Sequence, residues 1–165
     1  MNTDAVELRP ATQADLLSVY RIEKASFPQP WPFSAFEDFL GEPGFLVAVD
    51  GSTGPKTRYR DASADGVVGY VVADSVPNHG RAIGHVKDLA VSPDRRGERV
   101  ATRLLSRALS ILGREGVGWV KLEVREDNDP AIALYRAFGF EPRRRIPGYY
   151  ADGETALVMV RATEA

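Results

Sequence analysis

The sequence predicts a mixed α/β fold, a mostly antiparallel central sheet carrying about four helices. Three observations predict it. Apolar stretches at 6–9, 45–49, 67–73 and 83–91 are separated by Gly, Pro and Asn turns, as in a meander of strands. Two strand-then-helix units follow, over 83–112 and 119–138. A final pair of apolar stretches, 140–146 and 156–160, flanks a turn at 147–153.

Each element has a local cause. Val6-Glu-Leu-Arg9 alternates and forms a short strand that Pro10 ends. Thr12 with Asp15 resembles a capping box, and a helix runs from there to about Ala25, with Ala14, Leu17 and Ile22 among its apolar residues. The stretch 26–33 carries Pro28, Pro30 and Pro32, which forbid regular helix. Its Phe27, Trp31 and Phe33 have two readings, a loop that plugs the core and an aromatic wall of a substrate cleft. Ser34 with Glu37 forms a capping box for a second helix, which Gly41 ends in the left-handed conformation. After the strand at 45–49, the polar stretch 50–66 is a mobile hairpin tip with solvated Arg58 and Arg60. A helix beginning at Val100 places Leu104, Leu105, Ala108, Ile111 and Leu112 on one face. In the strand 119–124, Trp119, Lys121 and Glu123 lie on one side and Val120, Leu122 and Val124 on the other. Asp129 is a good N-cap with Pro130 at the first helical position, and that helix stops at Gly139.

The composition narrows the function. A chain of 165 residues, 44% hydrophobic and 27% charged, suits one soluble domain spanning 1–165. A net charge of −2 gives no global pull toward nucleic acid or an anionic membrane. The absence of cysteine removes disulfides, thiolate metal sites and a Cys nucleophile together. Two distant histidines make no metal constellation, so no metal is expected. The start is acidic and lacks an apolar signal core, and no apolar run approaches the length of a membrane span, so a cytoplasmic protein without membrane attachment is expected.

Most of the chemistry points to one turn. Leu89, Ala90 and Val91 form a strand that Pro93 stops, and Arg95-Arg-Gly-Glu-Arg99 leads into the helix at Val100. The first N–H groups of a helix have no internal partner and meet a positive dipole, so such a turn can hold a phosphate. The plainer alternative is a strand-to-helix turn with solvated arginines. A nucleotide-triphosphate loop is excluded, because no Gly-Lys pair followed by Ser or Thr occurs. The dinucleotide fingerprint is excluded too, because this turn has one glycine where three are needed.

The strand, Pro93, Arg96, Ala101 and the amphipathic helix resemble the acetyl-CoA motif of GCN5-related N-acetyltransferases, the GNAT family, with Arg99 in the place of a glycine. The second unit strengthens the resemblance. Leu122-Glu-Val-Arg, Asn128, Ala131-Ile-Ala-Leu-Tyr135 and Phe138-Gly-Phe140 are similar to the RimI-type ribosomal-protein-alanine N-acetyltransferases. Tyr149-Tyr-Ala-Asp-Gly-Glu154 is similar to the catalytic subunit of eukaryotic and archaeal N-terminal acetyltransferases.

The resemblance implies a GNAT fold with splayed central strands, acetyl-CoA as co-substrate, and protein N-termini or nascent chains, ribosomal proteins among them, as partners. It implies that the pyrophosphate rests on Arg96, Gly97, Glu98, Arg99, Val100 and Ala101, with Thr102 adjacent. It implies that pantetheine runs beside Leu89, Ala90 and Val91, with Asn128 on its amides. Tyr135 matches the general acid, next to the CoA sulfur, and Glu123 the general base, with His85 a second candidate base. Phe27 and Pro28 match the wall for the first peptide residue, and Tyr149 and Tyr150 the hairpin opposite it. Proton affinities suit this chemistry. A phenol at ~10 and a thiol at ~8.5 exchange a proton without a large gap, and an α-amine at ~8 is roughly 10% neutral at pH 7 where a lysine is far less so. Two other readings use the same residues: acetyl transfer to lysine or a small amine, and an acyl-CoA-binding module without turnover.

Overall fold

The computed structural model describes residues 5–51 and 66–163. The strands are β1 (Val6–Pro10), β2 (Gly44–Asp50), β3 (Val67–Val76), β4 (Ile83–Val91), β5 (Trp119–Arg125), β6 (Glu141–Ile146) and β7 (Ala156–Ala162). The α-helices are α1 (Leu16–Ser26), α2 (Phe33–Asp38), α3 (Val100–Arg114) and α4 (Asp129–Ala137). The strands join in the order β1-β2-β3-β4-β5-β7-β6. β1 and β2, β2 and β3, β5 and β7, and β6 and β7 pair antiparallel, while β4 and β5 run parallel. The parallel register pairs Ile83, Gly84 and His85 with Trp119, Val120 and Lys121, while β4 runs on to Val91 and β5 to Arg125. Among the described residues no helix is long and apolar enough to cross a membrane.

The chain divides into two compact units. One comprises the described residues up to Ala73 together with Asp88–Ile111; the other comprises Asp74–Lys87 with the described residues from Leu112 onward.

The first unit closes around an aromatic core. Leu16, Val19 and Ile22 of α1 meet Phe36 of α2, Phe45 and Val47 of β2, Tyr70 and Val72 of β3, and Ala90 of β4. Each such side chain contributes about 1.5 to 3 kcal/mol by leaving water. Helix α1 is preceded by a 3₁₀ turn, Gln13–Asp15, where Thr12 N–H donates to Asp15 Oδ2 at 2.8 Å. Of the apolar residues of α1, Leu16, Val19 and Ile22 are buried and Leu17 is 37% exposed. Capping also differs at α2, where Pro32 precedes the first turn and Ser34 lies inside the helix. Gly41 adopts φ 92°, as the turn after α2 requires. The expected hairpin tip at 50–66 falls largely outside the described residues; at its ends, Asp50 N–H donates to Gly66 O at 2.7 Å.

The second unit is built on alternation. Val120, Leu122 and Val124 are buried, as are Ala156, Val158 and Met159 of the neighbouring β7. Strand β6 runs Glu-Pro-Arg-Arg-Arg-Ile on the outer edge of the order, its first five residues exposed and its register shifted between Pro142 and Arg144. Charge, a proline and a bulge all blunt an edge against pairing with another chain.

One close approach tests the register of the first unit. A Cβ added at Gly44 would lie 2.2 Å from the backbone oxygen of Ala73, its register partner on β3. Gly44→Ala is therefore expected to destabilise the fold by about 2 kcal/mol or more, read as a lowered urea midpoint at unchanged m-value.

Candidate active site

In the first unit, β4 ends at Val91 and the 3₁₀ turn Pro93–Arg95 turns the chain toward α3. Ser92 N–H donates to Val68 O at 2.8 Å, and Ser92 Oγ donates to Asp94 Oδ1 at 2.6 Å. The expected solvated arginines take three different roles. Arg95 is 6% exposed and is held by Asp50 at 2.8 Å and Glu98 at 2.7 Å. Removing one partner of such a buried pair costs about 3 to 5 kcal/mol, so Arg95 is part of the scaffold. Arg96 lies outside, its Nε donating to Val91 O at 3.2 Å and its guanidinium to Ser26 Oγ at 3.1 Å. Arg99 is exposed and has φ 63°, the only positive φ among the described non-glycine residues.

Gly97 has φ 83°, so two left-handed residues bracket Glu98 at the entrance to a 15-residue helix. No backbone N–H from Gly97 to Thr102 finds a carbonyl acceptor among the described residues. Successive N–H groups freed by such a turn form an anion-binding concavity, and the helix dipole adds to it. Arg99, at the position where the resembling motif has glycine, takes the left-handed conformation that glycine favours. In the same unit, Ala90 and Val91 are buried, Leu89 is half-buried, and the Leu89 N–H donates to Asp88 Oδ1 at 2.9 Å. Phe27 packs against the aromatic core, Pro28 is exposed, and Trp31 stacks on Phe39 with centroids 5.8 Å apart. Trp31 and Phe33 thus take the core-plugging role.

In the second unit, burial of Val120, Leu122 and Val124 puts Lys121, Glu123 and Arg125 on the other side of β5. The parallel ladder pairs His85 with Lys121, and His85 Nε2 lies 2.6 Å from Glu123 Oε2. Lys121 Nζ is 3.5 Å from Glu123 Oε1. The hydrogen bond from His85 holds the Glu123 carboxyl below its ordinary value of 4.5; burial opposes this, and the charges of His85 and Lys121 add to it. With Nε2 donating to the carboxylate, Nδ1 of a neutral imidazole is the acceptor. Tyr135 sits on α4, 8% exposed, its ring edge-on to Phe140 at 5.9 Å. The N-cap of α4 is Asn128 rather than Asp129: Asn128 Oδ1 accepts from Ala131 N–H at 3.3 Å, and Asp129 is the first helical residue. An Asn–Asp–Pro run offers two caps, and Pro130 fits the first or second helical position equally well.

Arg125 ends the Leu122-Glu-Val-Arg run, and the sequence gives it no role of its own. It pairs with Asp152 at 2.8 Å and lies over the Tyr150 ring at 4.3 Å, while Tyr149 meets Tyr150 edge-on at 5.0 Å. The period-two alternation from Lys121 through Glu123 is the signal that leads to it. Burial pushes the Tyr150 phenol up to about 12, with the neighbouring Tyr149 adding to the shift. Burial, and then the Glu123 charge, raises Tyr149 also. Both phenols are neutral donors at physiological pH, and Tyr149 is 48% exposed. Among the described residues no group of three or more His, Asp or Glu side chains is placed to hold a metal ion.

Residues 16–140 match the model of the acetyltransferase (GNAT) family, and the chain belongs to that family. It is an acetyltransferase with the mixed α/β fold of its relatives. It is similar to the N-alpha-acetyltransferase of Saccharolobus solfataricus, 32% identical over 93% of this chain and 91% of that one. It is 30% identical to the putative [ribosomal protein bS18]-alanine N-acetyltransferase of Bacillus subtilis, over 88% of this chain and 87% of that one. Among solved structures, Ard1 from Thermoplasma volcanium superposes with a TM-score of 0.83 at 27% identity, covering 98% of this chain and 99% of that one.

The left-handed Arg99 gives a direct test of the turn. A side chain at that φ costs roughly 1 to 2 kcal/mol, partly offset because glycine loses more entropy on folding. Arg99→Gly is expected to raise stability by about 0.5 to 1 kcal/mol in urea melts; a loss would show that the arginine side chain holds the turn.

Proposed function

We propose that this chain transfers the acetyl group of acetyl-CoA to the α-amine of protein N-termini, acting in the cytoplasm as one acetyltransferase domain over residues 1–165. Nascent chains and ribosomal proteins are the substrates of this reading, which the names of the Saccharolobus and Bacillus relatives support. The observation that carries it is the His85–Glu123 pair, 2.6 Å apart on neighbouring strands. It supplies a proton acceptor at the strand position where the family resemblance calls for a base.

Acetyl-CoA supplies an activated thioester. The turn from Arg96 to Ala101, with Thr102, would take its diphosphate through backbone N–H groups and the positive helix end. The strand of Leu89, Ala90 and Val91 would take the pantetheine arm, with a backbone N–H polarising the thioester carbonyl. Asn128 uses its oxygen to cap α4 and has its amide hydrogens to offer the pantetheine. Phe27 and Pro28 would meet the first peptide residue, and Tyr149 and Tyr150 would donate to peptide carbonyls. The amine nitrogen forms a bond to the thioester carbon and the carbon–sulfur bond breaks. The proton released by the amine goes to the His85–Glu123 pair, and the Tyr135 hydroxyl protonates the leaving thiolate. On this reading Glu123 is the base that the resemblance implies, and His85, hydrogen-bonded to it, is the second candidate for the same proton.

Mass spectrometry of short peptides incubated with acetyl-CoA should show acetylation at the α-amine. Products carrying acetyl groups only on lysine would support the lysine reading, and acetyl-CoA binding without any product the binding-module reading. Glu123→Gln and His85→Gln should each lower kcat roughly 10²-fold, and the double variant little further, because the two act as a unit. Glu123 should also leave a mark on stability. Its folded value lies below 4.5, so its contribution is present above 4.5 and disappears as pH falls through the folded value. Acid titration of wild type against Glu123→Gln, followed by circular dichroism, should show that difference vanish at low pH.

A further inference from the structure

Glu23, Tyr70 and Asp88 form a polar chain inside the aromatic core of the first unit, and the chemistry above uses none of them. Tyr70 is fully buried, with its ring edge-on to Phe36 at 5.6 Å, and Glu23 is 2% exposed. The Tyr70 hydroxyl donates to Glu23 Oε2 and lies 3.2 Å from Asp88 Oδ2. Glu23 Oε1 accepts the Trp31 N–H at 3.1 Å, and Asp88 Oδ1 accepts the Leu89 N–H at 2.9 Å. The remaining members of this core, from α1, α2, β2, β3 and β4, are Leu16, Val19, Ile22, Phe36, Phe45, Val47, Val72 and Ala90. Of the charged groups on those elements, Lys24 lies over the Tyr20 ring at 4.7 Å, Lys87 pairs with Asp74 at 3.2 Å and Asp50 pairs with Arg95 at 2.8 Å.

Hydrogen counting limits what the chain can be. A phenol has one hydrogen to give. Once it goes to Glu23, the Tyr70 oxygen faces Asp88 Oδ2 with lone pairs on both sides. A buried carboxylate and a half-buried one sharing one site cannot both ionise cheaply. One added proton resolves both problems. Burial first, then Glu23, drives the Asp88 carboxyl well above its ordinary range.

We propose that Asp88 carries that proton and is a positioning residue. Its O–H donates to Tyr70, Tyr70 donates to the Glu23 carboxylate, and Glu23 holds the Trp31 backbone. The chain thereby fastens the 27–33 segment to the strand that continues at Leu89. This rests on the proposed function in one respect: it takes Phe27 and Pro28, within that segment, as the wall for the substrate's first residue.

Asp88→Asn keeps a neutral donor at the same place. Wild type must hold a proton that the unfolded chain releases at the ordinary carboxylate value, so it loses stability as pH rises toward the folded value. The melting temperature of Asp88→Asn is expected to exceed that of wild type by a gap that widens between about pH 5 and about pH 9. Glu23→Gln and Tyr70→Phe are expected to raise the KM for peptide about tenfold while the KM for acetyl-CoA stays within about twofold. Asp88→Ala, which removes the donor, should raise the peptide KM likewise, and Asp88→Asn, which restores a neutral donor, should bring it back toward wild type. A second readout needs no change in the cluster. With Trp119→Phe leaving Trp31 as the sole tryptophan, its emission should shift to the red as pH rises, and Asp88→Asn should abolish the shift.

A gap that is flat or reversed with pH, or a Glu23→Gln variant tolerated where Asp88→Asn is not, would overturn the assignment. The melting arm needs no substrate. A widening gap in a protein that acetylates no peptide would therefore sustain the proton on Asp88 and count against the function alone.

Discussion

The chemistry of the second unit depends on the pleat of β5. Val120, Leu122 and Val124 must leave water, and a strand sends alternate side chains to opposite faces. Lys121, Glu123 and Arg125 are therefore committed to one face with no further instruction. Slipping the strand by one residue would bury two cations and a carboxylate and expose three aliphatic side chains, which no local gain could offset. The parallel ladder from Ile83 to His85 then brings an imidazole to the carboxylate. The carboxylate–imidazole contact thus follows from the alternation of β5 and its register with β4.

Elements with strong local signals were legible from the sequence. The alternation at β5, the apolar face of α3 and the glycine that ends α4 depend on residues within a few positions of each other. What needed the fold was long-range. Arg95 looks like one of three solvated arginines until Asp50, on a different strand, takes it into the interior. Glu23 looks like a surface residue of an amphipathic helix until Tyr70 meets it. The misassigned caps have a narrower cause. Asn128 and Asp129 are equally able cap residues side by side, and at α2 the helix starts one residue before Ser34, with Pro32 at the N-cap and no side chain capping it.

Charge is handled differently in the two units. In the first, Arg95 balances Asp50 and Glu98 with three side chains in direct contact. In the second, the polar face of β5 leaves Glu123 shared between His85 and Lys121, with its own side chain still partly open to solvent. The first arrangement is saturated and serves the scaffold. The second leaves the imidazole and the carboxylate in reach of solvent, as the proposed proton-accepting role would require.

The grip of Arg125 on Tyr150 and Asp152 has a thermodynamic consequence. Loops that meet ligands usually surrender conformational freedom at the moment of contact, and affinity suffers accordingly. Here a guanidinium at the end of β5 holds Tyr150 and Asp152 of the hairpin between β6 and β7 in the folded chain. On the proposed reading, a peptide that meets Tyr149 would find those two neighbours already tied down, and that part of the ordering cost already met.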